Sequence, residues 1–182
     1  MSRTRLGGRS AAVRAKVLAA ASDLVAVKGP QAVTIPEIAQ RAGIAATSLY
    51  RRLGDVGSLL LDMAVERLAN ELPLPDKGTI KQDLRCWGER IAVGLSSSNE
   101  SNFFRILLVT WNITPENRIS ALGPRLEEIQ AMLQRGKIRG ETAPSADDVI
   151  NHLLAPLYLR ALLGLPVDKQ LVNALVDRLL AN

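Results

Sequence analysis

The sequence predicts an all-α protein in which a three-helix N-terminal domain precedes a larger C-terminal helical bundle. Apolar residues make up 47% of the 182 residues and recur at spacings of three and four, which is the period of a helix. Aromatic residues contribute only 3%, so the predicted core consists of Leu, Val, Ile and Ala. Runs of alternating β-branched residues, which would indicate strands, do not occur in the sequence.

The first helix is predicted from about Ser10 to Val27, with Ser10 as its N-cap. Its apolar stripe comprises Val13, Val17, Leu18, Ala21, Leu24 and Val25. Gly29-Pro30 ends this helix, because glycine adopts the left-handed conformation of a C-cap and proline cannot continue the helical hydrogen bonds.

A second helix begins at Thr34-Ile35-Pro36-Glu37, which fits a capping box, and extends to about Ala42. Gly43-Ile44-Ala45 forms a tight turn, and a third helix follows over the sequence ATSLYRRL. The apolar residues of this region form one predicted cluster against the first helix: Ile38, Ala39, Ala42, Ile44, Leu49 and Leu53. Two short helices joined by a three-residue turn that contains glycine indicate a helix-turn-helix motif.

The outward face of the third helix carries small and polar side chains: Ala46, Thr47, Ser48, Tyr50, Arg51 and Arg52. In a helix-turn-helix the second helix of the motif enters the major groove of DNA, so its outer face is polar. The distribution of charge along the sequence also favours DNA as the partner. Residues 1–53 contain nine Lys and Arg against two acidic residues, a net charge of +7, whereas residues 54–182 carry −2. A solvated basic face is the alternative explanation.

The stretch from Thr34 to Leu60, TIPEIAQRAGIAATSLYRRLGDVGSLL, resembles the DNA-binding segment of the tetracycline-repressor-like (TetR) family of bacterial transcriptional regulators. It is similar in the capping Thr, Ile-Ala, Ala-Gly-Ile, the small polar pair, Leu-Tyr, the basic residues and Leu-Leu, all at the family's spacing. The resemblance implies DNA contacts by six residues: Thr34, Thr47, Ser48, Tyr50, Arg51 and Arg52. In this interpretation Thr47 and Ser48 contact base edges or phosphates, and Tyr50 and the two arginines contact phosphates.

Several of these assignments have structural alternatives. Thr34 is chiefly a helix cap. In the alternative interpretations, Tyr50 packs over the second helix and Arg52 pairs with an acidic residue of the fourth helix. The N-terminal arm either enters a minor groove or remains in solvent, and it carries three arginines: Arg3, Arg5 and Arg9.

Two positions depart from the family pattern. Leu53 stands where the family has Phe, and Val56-Gly57 stands where it has Lys-Glu, at the start of the fourth helix. The family's lysine touches a phosphate there, which Val56 cannot do, so one backbone contact is predicted to be weakened. Asp55 remains able to cap the fourth helix.

The second half of the chain is predicted to be helical on either side of the proline-rich break at residues 72–75. A connecting helix from Val56 to about Asn70 precedes the break, and further segments run over 80–95, 101–113 and 115–135. Four aromatic residues lie in this part: Trp87, Phe103, Phe104 and Trp111. They are candidates for lining a small-molecule cavity between helices, and the alternative is that they form the ordinary core.

The two closing helices are predicted from Asp147 to Leu163, with a kink at Pro156, and from Asp168 to Leu180. The first is apolar nearly all round, so it must be covered on more than one side. A two-fold interface in which two such pairs form a four-helix bundle covers it, and the resemblance implies the same interface. The candidate residues are Leu157, Leu162, Leu175 and Leu179, although periodicity does not separate partner-facing from core-facing positions.

The predicted domains are a basic arm and helix-turn-helix over residues 1–55, a connecting helix over 56–74, and a ligand-binding and dimerisation domain over 75–182. The predicted function is a dimeric transcriptional regulator. It binds a near-palindromic double-stranded DNA operator and, as a repressor, is released by a small-molecule effector of unknown identity. The alternative is a helical-bundle adaptor or ligand-binding protein that has lost DNA binding.

Enzyme chemistry is not predicted, and neither a metal nor a cofactor is expected. Cys86 and His152 are the only residues of their types, which excludes an intramolecular disulfide and a cysteine-rich zinc site. A Ser-His-Asp triad would depend on His152 alone. The sequence contains neither a signal-peptide pattern nor an apolar stretch of about 20 residues, so a cytoplasmic protein is expected.

Overall fold

The computed structural model describes residues 6–53, 55–96, 103–110 and 112–181, and the side chains of residues 6–10, 52, 53, 103 and 104 lie outside the description. Within these ranges the regular structure is entirely helical, which confirms the predicted fold class. The helices are α1 Leu6–Lys28, α2 Ile35–Ala42, α3 Ala46–Leu53, α4 Val56–Glu71, α5 Ile80–Leu95, α6 Phe103–Val109, α7 Pro115–Ile138, α8 Ala146–Val149, α9 Ala155–Leu162 and α10 Lys169–Ala181. A 3-10 turn, Pro30–Ala32, follows α1, and a π-helical stretch, Ile150–Leu154, joins α8 to α9.

The chain folds into two compact units that differ from the predicted domain boundaries. The first unit comprises residues 1–64 and 99–121, and the second comprises residues 65–98 and 122–182. The first unit includes α6 because Ile106, which is fully buried, belongs to the same apolar core as Leu49 of α3. The functional division at residues 55 and 74 stays a prediction.

The first unit is built on α1, whose buried face confirms most of the predicted stripe. The buried members are Val17, Leu18, Ala21 and Val25. The predicted start of α1 was wrong: the helix begins at Leu6, so Ser10 lies inside it and is not its N-cap. Alanine is the strongest helix former, and three alanines at positions 11, 12 and 15 keep this stretch helical.

The end of α1 depends on Gly29, as predicted, but its conformation differs from the expected one. Gly29 has φ 77° and ψ 158°, which is an extended conformation with positive φ rather than the left-handed helical one. This region of backbone space is essentially restricted to glycine. The amide of Gly29 still donates to the carbonyl of Val25 at 2.9 Å, so the last turn of α1 is closed.

The core of the second unit is formed by α5, α7, α10 and the stretch from α8 to α9. Val149, Leu153 and Leu157 are spaced by four and are all fully buried. The π-helical stretch contains Leu153, and its hydrogen bonds span five residues instead of four, which keeps this row of side chains facing the core. This stretch ends at Leu154, just before Pro156, and the kink predicted at that proline stays a prediction.

A glycine permits the close contact between α5 and α10. A Cβ atom at Gly88 would lie 2.6 Å from Cγ1 of Val172, which is closer than two carbon atoms can approach. Both residues are buried in the second unit. A larger residue at position 88 would therefore require Val172 or the helix that carries it to move.

Helix boundaries in the second half follow the sequence with two corrections. The structure confirms α5 at Ile80–Leu95. In contrast, α6 ends at Val109 rather than at residue 113, and the hydroxyl of Thr110 donates to the carbonyl of Ile106 at 2.8 Å. Helix α7 extends to Ile138 instead of residue 135, and Gly140 follows with φ 85°. Among the described helices, none combines the length and apolar character that crossing a membrane requires.

Candidate nucleic-acid interface

A capping box begins α2, as the sequence predicted. The backbone amide of Thr34 donates to Oε2 of Glu37 at 3.1 Å, and the hydroxyl of Thr34 donates to the same oxygen at 2.6 Å. Thr34 has extended backbone dihedrals and is the N-cap, so the path of the chain into α2 is fixed by this pair. The structural role expected for Thr34 is therefore present, and its side chain is also exposed.

The turn between α2 and α3 has the predicted three residues, from Gly43 to Ala45. Gly43 adopts the left-handed conformation, with φ 69° and ψ 37°. The amide of Ile44 donates to the carbonyl of Ala39 at 2.9 Å, which closes the last turn of α2. The angle between the two helices of the motif is thus set by backbone hydrogen bonds and by one glycine.

The third helix separates its apolar and polar residues as the sequence indicated. Leu49 is buried in the first unit's core, whereas Thr47 and Arg51 are exposed and Tyr50 is 51% exposed. Ser48 is half-buried. At about 100° per residue these four residues lie within about 160° around the helix axis, on the side away from Leu49, so hydroxyl groups and one guanidinium share a single outward surface. Arg52 belongs to α3, but its side chain lies outside the described residues.

Two ion pairs that sequence reasoning missed join α2 to the end of α1. Nζ of Lys28 contacts Oε1 of Glu37, and the guanidinium of Arg41 donates to Oδ2 of Asp23 at 3.0 and 3.1 Å. The hydrogen bond from Lys28, followed by that from Thr34, lowers the pKa of Glu37. Glu37 thus serves both the cap and the ion pair. The signal available in the sequence was the presence of only two acidic residues in this basic region.

Pairing reduces the number of cations that the first unit can offer to DNA. Lys28 and Arg41 are neutralised as described, and Arg14 lies 3.8 Å from Oδ2 of Asp62. In contrast, Lys16 and Arg51 are exposed and form no ion pair with the described side chains. The predicted arm, with Arg3, Arg5 and the side chain of Arg9, lies outside the described residues. The net charge of +7 already counts Asp23 and Glu37, so these two pairs leave it unchanged and only show which cations are engaged.

The start of α4 confirms Asp55 as a cap. Oδ1 of Asp55 accepts from the amide of Ser58 at 2.8 Å, and Oδ2 accepts from its hydroxyl at 2.7 Å. Val56 is half-buried and packs against the core of the first unit. Gly57 is buried as well. The position where the family pattern carries a lysine is therefore used for packing in this chain.

Of the four aromatic candidates for a ligand cavity, only the side chain of Trp87 lies among the described residues. Trp87 lies in the core of the second unit, where its side chain is 2% exposed. Phe103 and Phe104 belong to α6, in the first unit, and their side chains lie outside the described residues, as does Trp111.

A buried arginine that sequence reasoning missed accompanies Trp87. The guanidinium carbon of Arg125 lies 5.4 Å from the centroid of the Trp87 ring, a cation–π distance. Arg125 is 6% exposed, and its guanidinium contacts Glu128 and donates to the carbonyl of Leu72 at 3.0 Å. Its Nε and the Nε1 of Trp87 are buried and have no hydrogen-bond partner among the described residues. Burial raises the pKa of Tyr158 to about 12, and the nearby charge of Arg125 opposes that shift.

The four leucines predicted for a dimer interface divide into two groups. Leu157, Leu175 and Leu179 are buried in the core of the second unit, so they face inward within one chain. Leu162 alone is exposed, at 55%. Further exposed apolar side chains that the prediction omitted lie beside it in the sequence: Leu159, Leu163 and Leu165.

Comparison with known proteins agrees with the helix-turn-helix geometry. The family profile described as bacterial regulatory proteins, tetR family, matches residues 17–61, which contain α2 and α3. The profile described as tetracyclin repressor-like, C-terminal domain, matches residues 74–179. Together the two profiles cover both compact units and most of the chain.

Individual relatives extend the likeness along the chain. The HTH-type transcriptional regulator AqdR of Rhodococcus erythropolis is 30% identical over 76% of this chain and 68% of its own length. The uncharacterized HTH-type transcriptional regulator YdeS of Bacillus subtilis (strain 168) is 28% identical over 88% and 84%. The crystal structure of the TetR family transcription regulator SCO0332 superposes with a TM-score of 0.78 at 26% identity, over 93% of this chain and 97% of that one. A TetR transcriptional regulator from Rhodococcus sp. RHA1 shares the fold, with a TM-score of 0.74 at 20% identity over 96% and 97%. The chain therefore belongs to the TetR family of bacterial DNA-binding transcriptional regulators.

Proposed function

We propose that the chain is a homodimeric repressor that binds a near-palindromic operator and is released from it by a small-molecule effector. The observation that carries this proposal is the exposed polar surface of α3, supported on its inner side by Leu49. A helix with such a surface, held by a rigid turn, suits the major groove of DNA. Two copies related by a two-fold axis would read two half-sites of one operator.

The roles proposed for the side chains follow from their chemistry and exposure. Thr47 and Ser48 lie near the start of α3 and reach base edges or phosphates with their hydroxyl groups. Tyr50 and Arg51 are exposed one turn further and bind phosphates, as Arg52 does on the basis of the family pattern. Thr34 adds a hydroxyl at the start of α2. Phosphate contacts position the helix-turn-helix on the DNA, and base contacts specify the DNA sequence.

The proposed dimer interface is the exposed apolar side of α9 and the residues after it. Leu159, Leu162 and Leu163 are each more than half exposed, although they are large apolar side chains. Contiguous exposed apolar residues of this kind mark interaction surfaces in proteins that are otherwise well packed. A second copy of the chain would cover them, as it would Leu165 in the following turn.

The proposed effector site lies at Trp87 and Arg125 in the second unit. Two buried N–H groups without a partner among the described residues carry an energetic cost that a ligand with an acceptor oxygen would relieve. Tryptophan emission gives a direct test. In a Trp111→Phe variant Trp87 is the only tryptophan, so an effector that binds here changes its fluorescence. An effector that releases DNA without changing this emission would place the site elsewhere.

The departure at Val56-Gly57 would favour an adaptor without DNA binding if it had damaged the start of α4. It has not, because Asp55 caps the helix and Val56 packs against the core. Footprinting of the DNA upstream of the protein's own gene tests the proposed function. Two protected half-sites whose centres lie about 10 base pairs, or a multiple of that, apart are expected for a two-fold dimer. An absence of protection at low salt and micromolar protein would contradict it.

A further inference from the structure

The first turn of α4 leaves little room for a side chain at residue 57. A Cβ atom built on Gly57 would lie 3.1 Å from Cγ1 and 3.3 Å from Cδ1 of Ile113. It would also lie 3.0 Å from Oδ1 of Asp55, the oxygen that accepts from the amide of Ser58. Contacts as tight as these require a neighbour to move, so the glycine is matched to Ile113 on one side and to the helix cap on the other.

Ile113 is itself fixed by the short segment that carries it. Its side chain is 7% exposed, and its amide donates to the carbonyl of Thr110 at 3.2 Å. The same carbonyl accepts from Nη2 of Arg118 at 2.9 Å, and the hydroxyl of Thr110 donates to the carbonyl of Ile106. Ile106 is fully buried in the core of the first unit. Hydrogen bonds therefore hold this segment to α6 on one side and to Arg118 on the other, and they restrict the movement of Ile113 away from Gly57.

The start of α4 and the recognition helix α3 share one core. Val56 packs against the apolar cluster that contains Leu49, and Leu49 is the residue that anchors α3 from its inner side. A displacement of the first turn of α4 therefore reaches α3 through side chains that are closely packed. Packed cores transmit such displacements because their side chains have little free volume.

We propose that Ile113 is a positioning residue for DNA binding: by packing on Gly57 it sets the first turn of α4 and, through the shared core, the orientation of α3. The proposal rests on the proposed DNA-binding function and adds to it a determinant far outside the helix-turn-helix. It also assigns residues 103–121 to the DNA-binding unit in function as well as in packing. Val56-Gly57 is then a matched part of that unit rather than a trace of lost DNA binding.

A double-mutant cycle in the full-length protein tests the proposal. Gly57→Ala introduces a methyl group that presses on Ile113 and on Oδ1 of Asp55, and Ile113→Ala removes the two Ile113 atoms while the contact with Asp55 remains. Gly123→Ala is the matched control, because a Cβ at Gly123 meets no atom within 4 Å. The probe is a fluorescent duplex from the region upstream of the gene, and the readouts are the Kd, its salt slope and the thermal midpoint of each variant.

We expect Gly57→Ala to weaken binding about tenfold, a coupling typical of residues in contact, while Gly123→Ala binds as the wild type does. The loss caused by Gly57→Ala should be smaller in the Ile113→Ala background than in the wild type, because only the contact with Oδ1 of Asp55 remains there, and the salt slope of Gly57→Ala should be lower than that of the wild type. A purely structural role would change the thermal midpoint and leave the salt slope unaltered. Effects of the two substitutions that simply multiply, or wild-type binding by Gly57→Ala, would overturn the inference. A wild type that binds no duplex would instead overturn the proposed function itself.

Discussion

Leu157 and Leu162 lie five residues apart on α9, yet Leu157 is completely buried and Leu162 is 55% exposed. Five residues correspond to about 140° of rotation around an α-helix, so the two side chains point to opposite sides. Leu157 belongs to the core of the second unit, and Leu162 shares its exposed side with Leu159 and Leu163. The structure thus separates inward-facing from outward-facing leucines on a helix that is apolar nearly all round.

The first prediction concerns this separation. Leu162→Glu should give a folded monomer, because the charge disrupts an interface between chains and leaves the core intact. Leu157→Glu should unfold the second unit, since an unpaired buried charge costs several kcal/mol. Sedimentation combined with far-ultraviolet circular dichroism distinguishes the two results. A Leu162→Glu protein that remains a dimer would exclude this face from the interface.

The second prediction concerns the turn of the helix-turn-helix. Gly43→Ala should lower the stability of the first unit by about 1–2 kcal/mol, because a Cβ is strained at φ 69° even though no atom stands in its way. Gly123→Ala, at an open position inside α7, should instead raise stability by about 0.5–1 kcal/mol. Urea unfolding of both variants checks the pair. Equal shifts in the two midpoints would count against a conformational role for Gly43.

The third prediction concerns acid. The pKa of Glu37 is lowered by its hydrogen bonds with Lys28 and Thr34, so its contribution to stability is complete above the usual pKa of about 4.3 and is lost as the pH falls through the lowered value. Glu37→Gln retains a capping-box residue but removes this titration. The variant should therefore lose less stability than the wild type between pH 5 and about pH 3.

Among the described residues, three other carboxyl groups with lowered pKa values remain in the Glu37→Gln protein, namely Glu141, Asp148 and Asp177, so its pH dependence should be reduced and not abolished. A pH profile of Glu37→Gln identical to that of the wild type would refute the assignment.

The fourth prediction separates free from paired cations. Arg51→Ala should weaken binding to all duplexes alike. The slope of log affinity against log salt concentration should become less steep by about 0.9 for each phosphate that is no longer neutralised, and therefore by about 2 in a dimer that loses one such contact in each subunit. Arg41→Ala is the matched control, because its guanidinium is bound to Asp23. Anisotropy titrations at several salt concentrations measure both slopes. If the salt slope falls equally in the two variants, the ion pair with Asp23 does not prevent Arg41 from contacting DNA.

The helix-turn-helix could be predicted from the sequence because its determinants are local. Thr34 and Glu37 are three residues apart, Gly43 follows α2 directly, and Leu49 marks the inner side of α3 by its spacing. Each of these features acts through the backbone of its own segment. Residue spacing alone was therefore enough to predict the capping box and the bounds of α2 and α3.

Features that depend on distant contacts could not be predicted in the same way. Ile106 and Ile113 follow the helix-turn-helix by more than fifty residues, and only folding places them in its unit. Arg125 is ordinarily a surface residue type, and its burial over Trp87 depends on packing between α5 and α7. The sequence could not divide the candidate dimer leucines into inward-facing and exposed ones, because α9 has apolar residues on both sides and its period does not indicate which side is covered.

The salt dependence of DNA binding by the wild-type protein tests the central claim most directly. A fluorescent duplex from the region upstream of the gene is titrated at salt concentrations from 50 to 200 mM, together with a scrambled duplex of equal length. A dimer that makes about 6–10 phosphate contacts should lose ~10³–10⁵ in affinity over this range and prefer the upstream duplex at every salt concentration. Affinity that is independent of salt, or an equally weak association with both duplexes, would contradict the assignment of this chain as a sequence-specific DNA-binding regulator.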